Sequence, residues 1–263
     1  MKSLIVATIF LFFNTCSGYP RSVDVINGDD VLVHRYPYLV SIQSGINGEH
    51  HRCGGTILSP QWVITAAHCA GVSLIVSRAV AGALNLTDTN NTAVQIRNID
   101  LYSVVKHPSY SNDITNDIAL VKMTEPFEFN EFVQPLPVSK VPCYALDEMT
   151  LFAGWGTEDS SSITSQLQTG NMTIVPFDDC YKTMHSVYGN NLPINENMHV
   201  CVTGTASPCI LDGGSPLVQD GRLIGLLSWL PSTCLDDSVP AIFTKTGFYK
   251  EFIKIHVDDL PSA

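Results

Sequence analysis

The chain has 263 residues, 45% of them hydrophobic and 15% charged, with a formal net charge of −11. It is too apolar and too sparsely charged for a disordered chain, and long enough for one large or two small domains with a sizeable core. The acidic balance argues against nucleic acid and anionic membrane surfaces as partners and suits a secreted monomer.

In chain order, the first feature is a leader. Lys2 gives a small positive start, residues 4–13 form an apolar run broken only by Thr8, and the small residues Thr15, Cys16, Ser17 and Gly18 follow. That pattern is a secretory signal peptide, residues 1–17, too short to span a bilayer; cleavage is expected after Ser17 or Gly18. Residues 18–24 then form a short propeptide-like segment.

The body reads as all-β. Short β-branched or aromatic runs recur at residues 38–42, 62–65, 74–80, 94–96 and 118–122, and again at 150–153, 172–175, 223–229 and 241–244. Gly, Pro, Asn and Ser clusters separate them, the spacing of barrels or sandwiches. Residues 125–142 carry Pro126, Pro135, Pro137 and Pro142 and read as a linker between two β halves, about 38–124 and about 143–245. One helix is expected, at about 247–258, where Phe248, Phe252, Ile255 and His256 recur at helical spacing.

Secretion makes disulfides the default use of cysteine. Removing Cys16 leaves an odd number: Cys53, Cys69, Cys143, Cys180, Cys201, Cys209 and Cys234. Neither C-x-x-C pairs nor Cys/His clusters at zinc spacing occur, so no metal is implied, and no organic cofactor either. The adjacent His50 and His51 read as a surface loop. Sequons at Asn85, Asn90 and Asn171 are candidate glycosylation sites.

Three segments carry chemistry. Thr65-Ala66-Ala67-His68-Cys69 follows a strand and can be anchored by Cys53-Gly54-Gly55. Asn116-Asp117-Ile118-Ala119-Leu120 puts a carboxylate at the mouth of an apolar strand, where it could orient an imidazole. Cys209-Ile210-Leu211-Asp212-Gly213-Gly214-Ser215-Pro216-Leu217 is a Gly-rich turn leading into a strand, with Ser228-Trp229 and Cys234 beyond. With Val25-Ile26-Asn27-Gly28, Pro37-Tyr38-Leu39-Val40-Ser41 and Gly154-Trp155-Gly156, these motifs resemble the chymotrypsin/trypsin-like serine proteases over the whole chain after the leader. The gaps from His68 to Asp117 and from Asp117 to the Gly-rich turn also suit that family. The resemblance implies two six-stranded antiparallel β-barrels, a cleft between them and a C-terminal α-helix. It looks closest to the digestive trypsins of arthropods, including mite group 3 allergens.

Departures from the family pattern matter as much. The family turn reads Cys-x-Gly-Asp-Ser-Gly-Gly-Pro, and Gly213 stands where the nucleophilic serine belongs. Glycine cannot form an acyl-enzyme, so His68 and Asp117 are vestigial on this reading. Leu211 replaces the glycine whose N–H should face the oxyanion, a donor worth about 3–4 kcal/mol in the transition state. Leucine also resists backbone angles that glycine adopts freely. Ser215 is not expected to substitute, because a two-residue slip would take Cys209 and Asp212 out of register.

By resemblance the specificity pocket has Ser207 at its floor, Leu230 at its entrance and Ala241 on its wall, the last two replacing glycines. Family zymogens are cut after Arg or Lys, and the new amine pairs with the aspartate corresponding to Asp212. Here Asp24 precedes Val25 and the nearest base is Arg21, so cleavage after either residue stays open, and Asp212 is expected to lack its partner. The resemblance pairs Cys53–Cys69, Cys180–Cys201 and Cys209–Cys234, leaving Cys143 as a free thiol or, less favoured, an intermolecular bridge. The function expected is that of a secreted, inactive protease homologue that binds proteins, such as proteases of host defence or complement cascades. The competing expectation is an active secreted endopeptidase with atypical catalytic residues and a narrow pocket.

Overall fold

The structure is a computed structural model that describes residues 35–45, 50–71, 77–88, 90–140, 144–146, 148–157, 165–189, 192–204, 208–231 and 238–261. Twelve strands close into two antiparallel barrels. The first runs β1 (Leu39–Ser44), β2 (His50–Ile57), β3 (Trp62–Thr65), β4 (Ser77–Ala81), β5 (Gln95–Lys106) and β6 (Ala119–Met123), in the spatial order β1-β2-β3-β6-β5-β4. The second runs β7 (Thr150–Gly154), β8 (Gln168–Val175), β9 (His199–Gly204), β10 (Pro216–Gln219), β11 (Arg222–Trp229) and β12 (Ala241–Lys245), in the order β10-β11-β12-β9-β8-β7. Closure leaves no free sheet edge, which suits short strands of mixed burial.

The core follows from this closure. Val40, Ile42, Ile57, Val63 and Val121 fill the first barrel, and Phe152, Met172, Val202, Leu227 and Phe243 fill the second. A third cluster lies between them, joining Leu39, Ile64 and Leu120 to Trp155, Leu226 and Ile253. Trp155 is 1% exposed and its indole N–H donates to the carbonyl of Leu84, 3.1 Å away. The segment after β6 ties the barrels by backbone bonds. Leu136 N–H donates to the Ile57 carbonyl, and Ser139 N–H to that of Leu223.

Two expectations about helices need correction. A second helix, α1 (Phe177–Tyr188), precedes β9 and was not expected. Its inward face is only Cys180 and Met184, too thin a stripe to announce itself, while Asp178 and Asp179 in its first turn favour the helix electrostatically. At the C-terminus a 3₁₀ turn (Thr246–Tyr249) leads into α2 (Lys250–His256). Its buried side is not the one expected: Phe248 and Ile255 are 44% and 74% exposed, whereas Tyr249, Ile253 and Val257 are buried. The i, i+4, i+8 set faces the cluster between the barrels, with the expected Phe252 half-buried at its edge.

β2, β9 and β10 were also unmarked by runs of β-branched residues. The strand β5 is much longer than expected; its mixed exposure and a register break between Asp100 and Val105 obscure its period.

Candidate active site

His68 sits just past β3, where Ala66 and Ala67 are fully buried and hold the backbone against the first barrel. Asp117 precedes β6 and is 1% exposed. Its left-handed neighbour Asn116 (φ 56°) turns the chain so that the carboxylate points inward. Asparagine tolerates that conformation better than most residues. The Asp117 carboxylate accepts the His68 backbone N–H at Oδ1, 2.9 Å, and the His68 Nδ1–H at Oδ2, 2.8 Å. Nδ1 therefore carries the proton, and Nε2 presents its lone pair outward. From the second barrel, Ser228 Oγ donates to Asp117 Oδ2 at 2.6 Å and Thr244 Oγ1 to the Asp117 carbonyl at 2.9 Å. The dyad is thus clamped by both barrels, with the imidazole 38% exposed.

The Gly-rich turn reaches the same place from the second barrel. Gly54 N–H donates to the Gly213 carbonyl at 2.8 Å, and Gly214 N–H to that of Leu227 at 2.8 Å. Gly214 has φ +77°, and a Cβ there would lie 2.1 Å from Thr65 Oγ1, so only glycine fits. Gly213 faces the histidine directly: a Cβ added to it would lie 2.3 Å from His68 Nε2 and 3.4 Å from Cys69 Sγ. The imidazole has taken the space in which a side chain at 213 would begin. Ser215 is turned the other way. It is fully buried, its Oγ has no hydrogen-bond partner, and a Cβ on Gly54 would lie 2.0 Å from that oxygen.

Leu211 occupies the left-handed region with φ 76°. A branched side chain held there costs on the order of 1–2 kcal/mol. Its carbonyl accepts from His51 Nε2 at 3.1 Å, while Ser41 Oγ donates to His51 Nδ1 at 2.7 Å. His51 is therefore no surface residue, as its pairing with His50 suggested. It lies 7% exposed in β2, and burial lowers its pKa to about 4. This Ser41–His51–Leu211 chain had no signal in sequence, since its members are far apart and share no local pattern.

Asp212 is 5% exposed, and burial raises its pKa to about 7. Its oxygens accept the N–H groups of Gly156 at 2.7 Å and Cys209 at 2.9 Å. Among the described residues no cationic side chain pairs with it. Val25, its expected partner, lies outside the described residues, as does the pocket residue Ser207. Leu230 is half-buried and packs against the cluster that contains Ala241, itself 5% exposed. Ile210, unremarked in sequence, projects beside Leu211 at 44% exposure.

Disulfides join Cys53 to Cys69 and Cys180 to Cys201. Cys209 is also disulfide-bonded, while Cys143 and Cys234 lie outside the described residues. The cluster Cys53, His68 and Cys69 brings three potential metal ligands within 4.8 Å of one another, but the bridge uses both sulfurs. Asn90 and Asn171 are exposed; Asn85 is half-buried, its Oδ1 accepting from Thr87 N–H and Oγ1. Among the described residues no helix is long and apolar enough to cross a membrane.

Paired six-stranded barrels, with a carboxylate-oriented histidine from one meeting a Gly-rich turn from the other, define the chymotrypsin-like class of serine proteases. The chain belongs to the trypsin family, whose model, described as Trypsin, matches residues 25–253. Trypsin I-P1 of Gallus gallus is 32% identical over 97% of this chain and 98% of its own. The trypsin of Squalus acanthias is 30% identical over 87% and 94%. Among solved structures the fold is similar to that of neuropsin, a serine protease expressed in the limbic system of mouse brain. That match has a TM-score of 0.73 and 25% identity, covering 84% of this chain and 95% of that one.

Proposed function

We propose that this chain is a secreted, catalytically inactive homologue of the trypsin-family proteases that acts by binding other proteins. The observation that carries the reading is Gly213, which faces His68 Nε2 from the turn where the family places its nucleophile. A base and its orienting carboxylate have no alcohol to activate there, and only weak residual catalysis survives such a loss. Leu211 at the oxyanion position, and Leu230 with Ala241 around the pocket, add obstruction to that loss. Asp24 before Val25 departs from the usual activation signal, and among the described residues Asp212 has no cationic partner.

The leader at residues 1–17, the disulfides and the sequons Asn85, Asn90 and Asn171 support secretion as a glycoprotein. The lineage we favour is that of arthropod digestive trypsins whose paralogues, as in mites, have lost the nucleophile. The partner class we favour is host-defence proteins such as complement or other protease cascades. The acidic surface offers charge complementarity to basic patches on such partners. A second reading, an active protease of unusual mechanism, draws on the clamped His68–Asp117–Ser228 network. It needs Ser215 as nucleophile, and that hydroxyl is sealed inside the fold.

The test is a fluorophosphonate probe, expected to leave the purified protein unlabelled; labelling at Ser215 overturns the reading. Gly213→Ser with Leu211→Gly should restore only limited peptide hydrolysis, and rates like those of trypsin would show the pocket to be intact. A pull-down from the fluid into which the protein is secreted identifies the partner.

A further inference from the structure

A cavity of about 240 Å³ lies between the segment after β6 and α2, and it shares no residue with the His68–Asp117 site. Lys250, Ile253 and Lys254 line it from α2, since residues three and four apart share a helix face. Val138 and Lys140 line it from the segment after β6, which the Ser139 N–H bond to the Leu223 carbonyl, 3.0 Å, pins in place. Leu260 lines it from the chain beyond α2. Ile253 is 1% exposed, and Val138 and Leu260 are half-buried against the cluster between the barrels. The apolar lining is therefore an open edge of that core.

Charge gathers at the same place. The chain has 14 Lys and Arg against 25 Asp and Glu, yet three exposed lysines meet at this one small cavity. Lysine stems lie along apolar walls and keep their ammonium groups in water, which puts the positive charge at the rim. Among the described residues Lys140 and Lys250 have no ion-pair partner. Lys254 lies 3.7 Å from Glu251, an exposed pair that holds it weakly. Asp258 and Asp259 are exposed in the adjoining turn and do not line the cavity.

We propose that this cavity binds a single-chain acyl anion, a fatty-acid carboxylate whose head sits among Lys140, Lys250 and Lys254 and whose chain lies on Val138, Ile253 and Leu260. The volume matches about eight water molecules at about 30 Å³ each, and a methylene is of similar size, so a chain of about eight carbons fits. None of the lining residues is aromatic, and the cavity is smaller than the roughly 300–1,000 Å³ of drug-sized sites, which disfavours a nucleotide or aryl ligand. An anionic bilayer meets the net charge of −11, whereas one small anion within a Debye length of about 8 Å feels chiefly the three lysines.

The experiment titrates sodium octanoate into the native protein by calorimetry and maps the site by amide NMR. Expected are one saturable site and amide shifts at residues 138–140, 250–254 and 260. A buried methylene tightens binding about fourfold, so hexanoate should bind about tenfold more weakly. Octanol, with the same chain and no charge, should also bind at least about tenfold more weakly, and Lys250→Gln with Lys254→Gln should cost octanoate a similar factor. Leu260→Gln, which keeps the lysines, should shrink the difference between octanoate and hexanoate. Octanol as tight as octanoate, wild-type affinity in the lysine variant, or shifts confined to other residues overturns the proposal. Fluorophosphonate labelling does not bear on this cavity, so this proposal and the reading of the cleft fail separately.

Discussion

Asp117 and Asp212 are both buried aspartates at the seam between the barrels, yet they are solved by opposite means. Asp117 accepts hydrogen bonds from His68 twice and from Ser228, so elements of both barrels share its carboxylate. Asp212 accepts two backbone N–H groups and has no charged partner among the described residues, and burial raises its pKa to about 7. The first site is a structural joint between the barrels, whatever chemistry it retains beside Gly213. The second is a buried carboxyl beside which no described residue places a cation. Glycine at position 213 therefore stands beside a His68–Asp117 pair that also holds the barrels together.

The largest expected effect breaks the joint. Asp117→Ala leaves the His68 N–H and Ser228 Oγ facing a cavity between the barrels. Urea unfolding should show a loss of about 3–5 kcal/mol. A loss below about 1 kcal/mol would mean that the two barrels do not depend on this carboxylate.

Asp212 should show itself through pH. Its folded pKa lies above the unfolded value of 3.8, so its contribution is full below pH 4 and is lost as pH rises to about 7. That loss is about 4 kcal/mol by linkage. His51 works in the opposite direction. Its folded pKa of about 4 lies below 6.5, so stability is lost as pH falls from about 6.5 towards 4, by about 3 kcal/mol. Burial lowers the pKa of His107 and His199 as it does that of His51, so between pH 4.5 and 6.5 the falling contribution of Asp212 opposes the rising ones of three histidines. Relative to wild type, Asp212→Asn should make stability rise more steeply with pH there, and His51→Gln should make it rise less or fall. A chain cut to begin at Val25 sharpens the comparison: an ammonium reaching Asp212 would ionise it and remove its slope. An unchanged slope would mean that the new terminus does not enter.

These contrasts also show what sequence could carry. An all-β body in two halves was legible because β-branched runs alternate with turn residues, while the two closed barrels came from the resemblance to the protease family. His68 and Asp117 were legible because each sits in a dense local motif. Helix α1 was not, since only Cys180 and Met184 face inward. The face of α2 was misread because Phe248 and Ile255 look apolar enough to be buried but point to solvent. His51 escaped because its partners Ser41 and Leu211 come from other parts of the chain, and only folding brings them together. Ser228 stood in a recognised motif, but its bond to Asp117 spans the two barrels.

The smallest effect concerns Leu211, the point where the turn departs from glycine without losing its shape. At φ 76° its Cβ crowds the backbone, and the conformation is held by the Leu211 carbonyl bond to His51. Leu211→Gly removes the strain but gives the unfolded chain more freedom, and these terms oppose each other. A net gain of about 1 kcal/mol or less in thermal or urea unfolding is expected, with the His51 environment unchanged by NMR titration. A clear loss would mean that the leucine side chain, half-buried beside Ile210, contributes packing that outweighs its strained backbone. In that case the turn has been rebuilt around the leucine, and restoring glycine would not return the oxyanion position to a working shape.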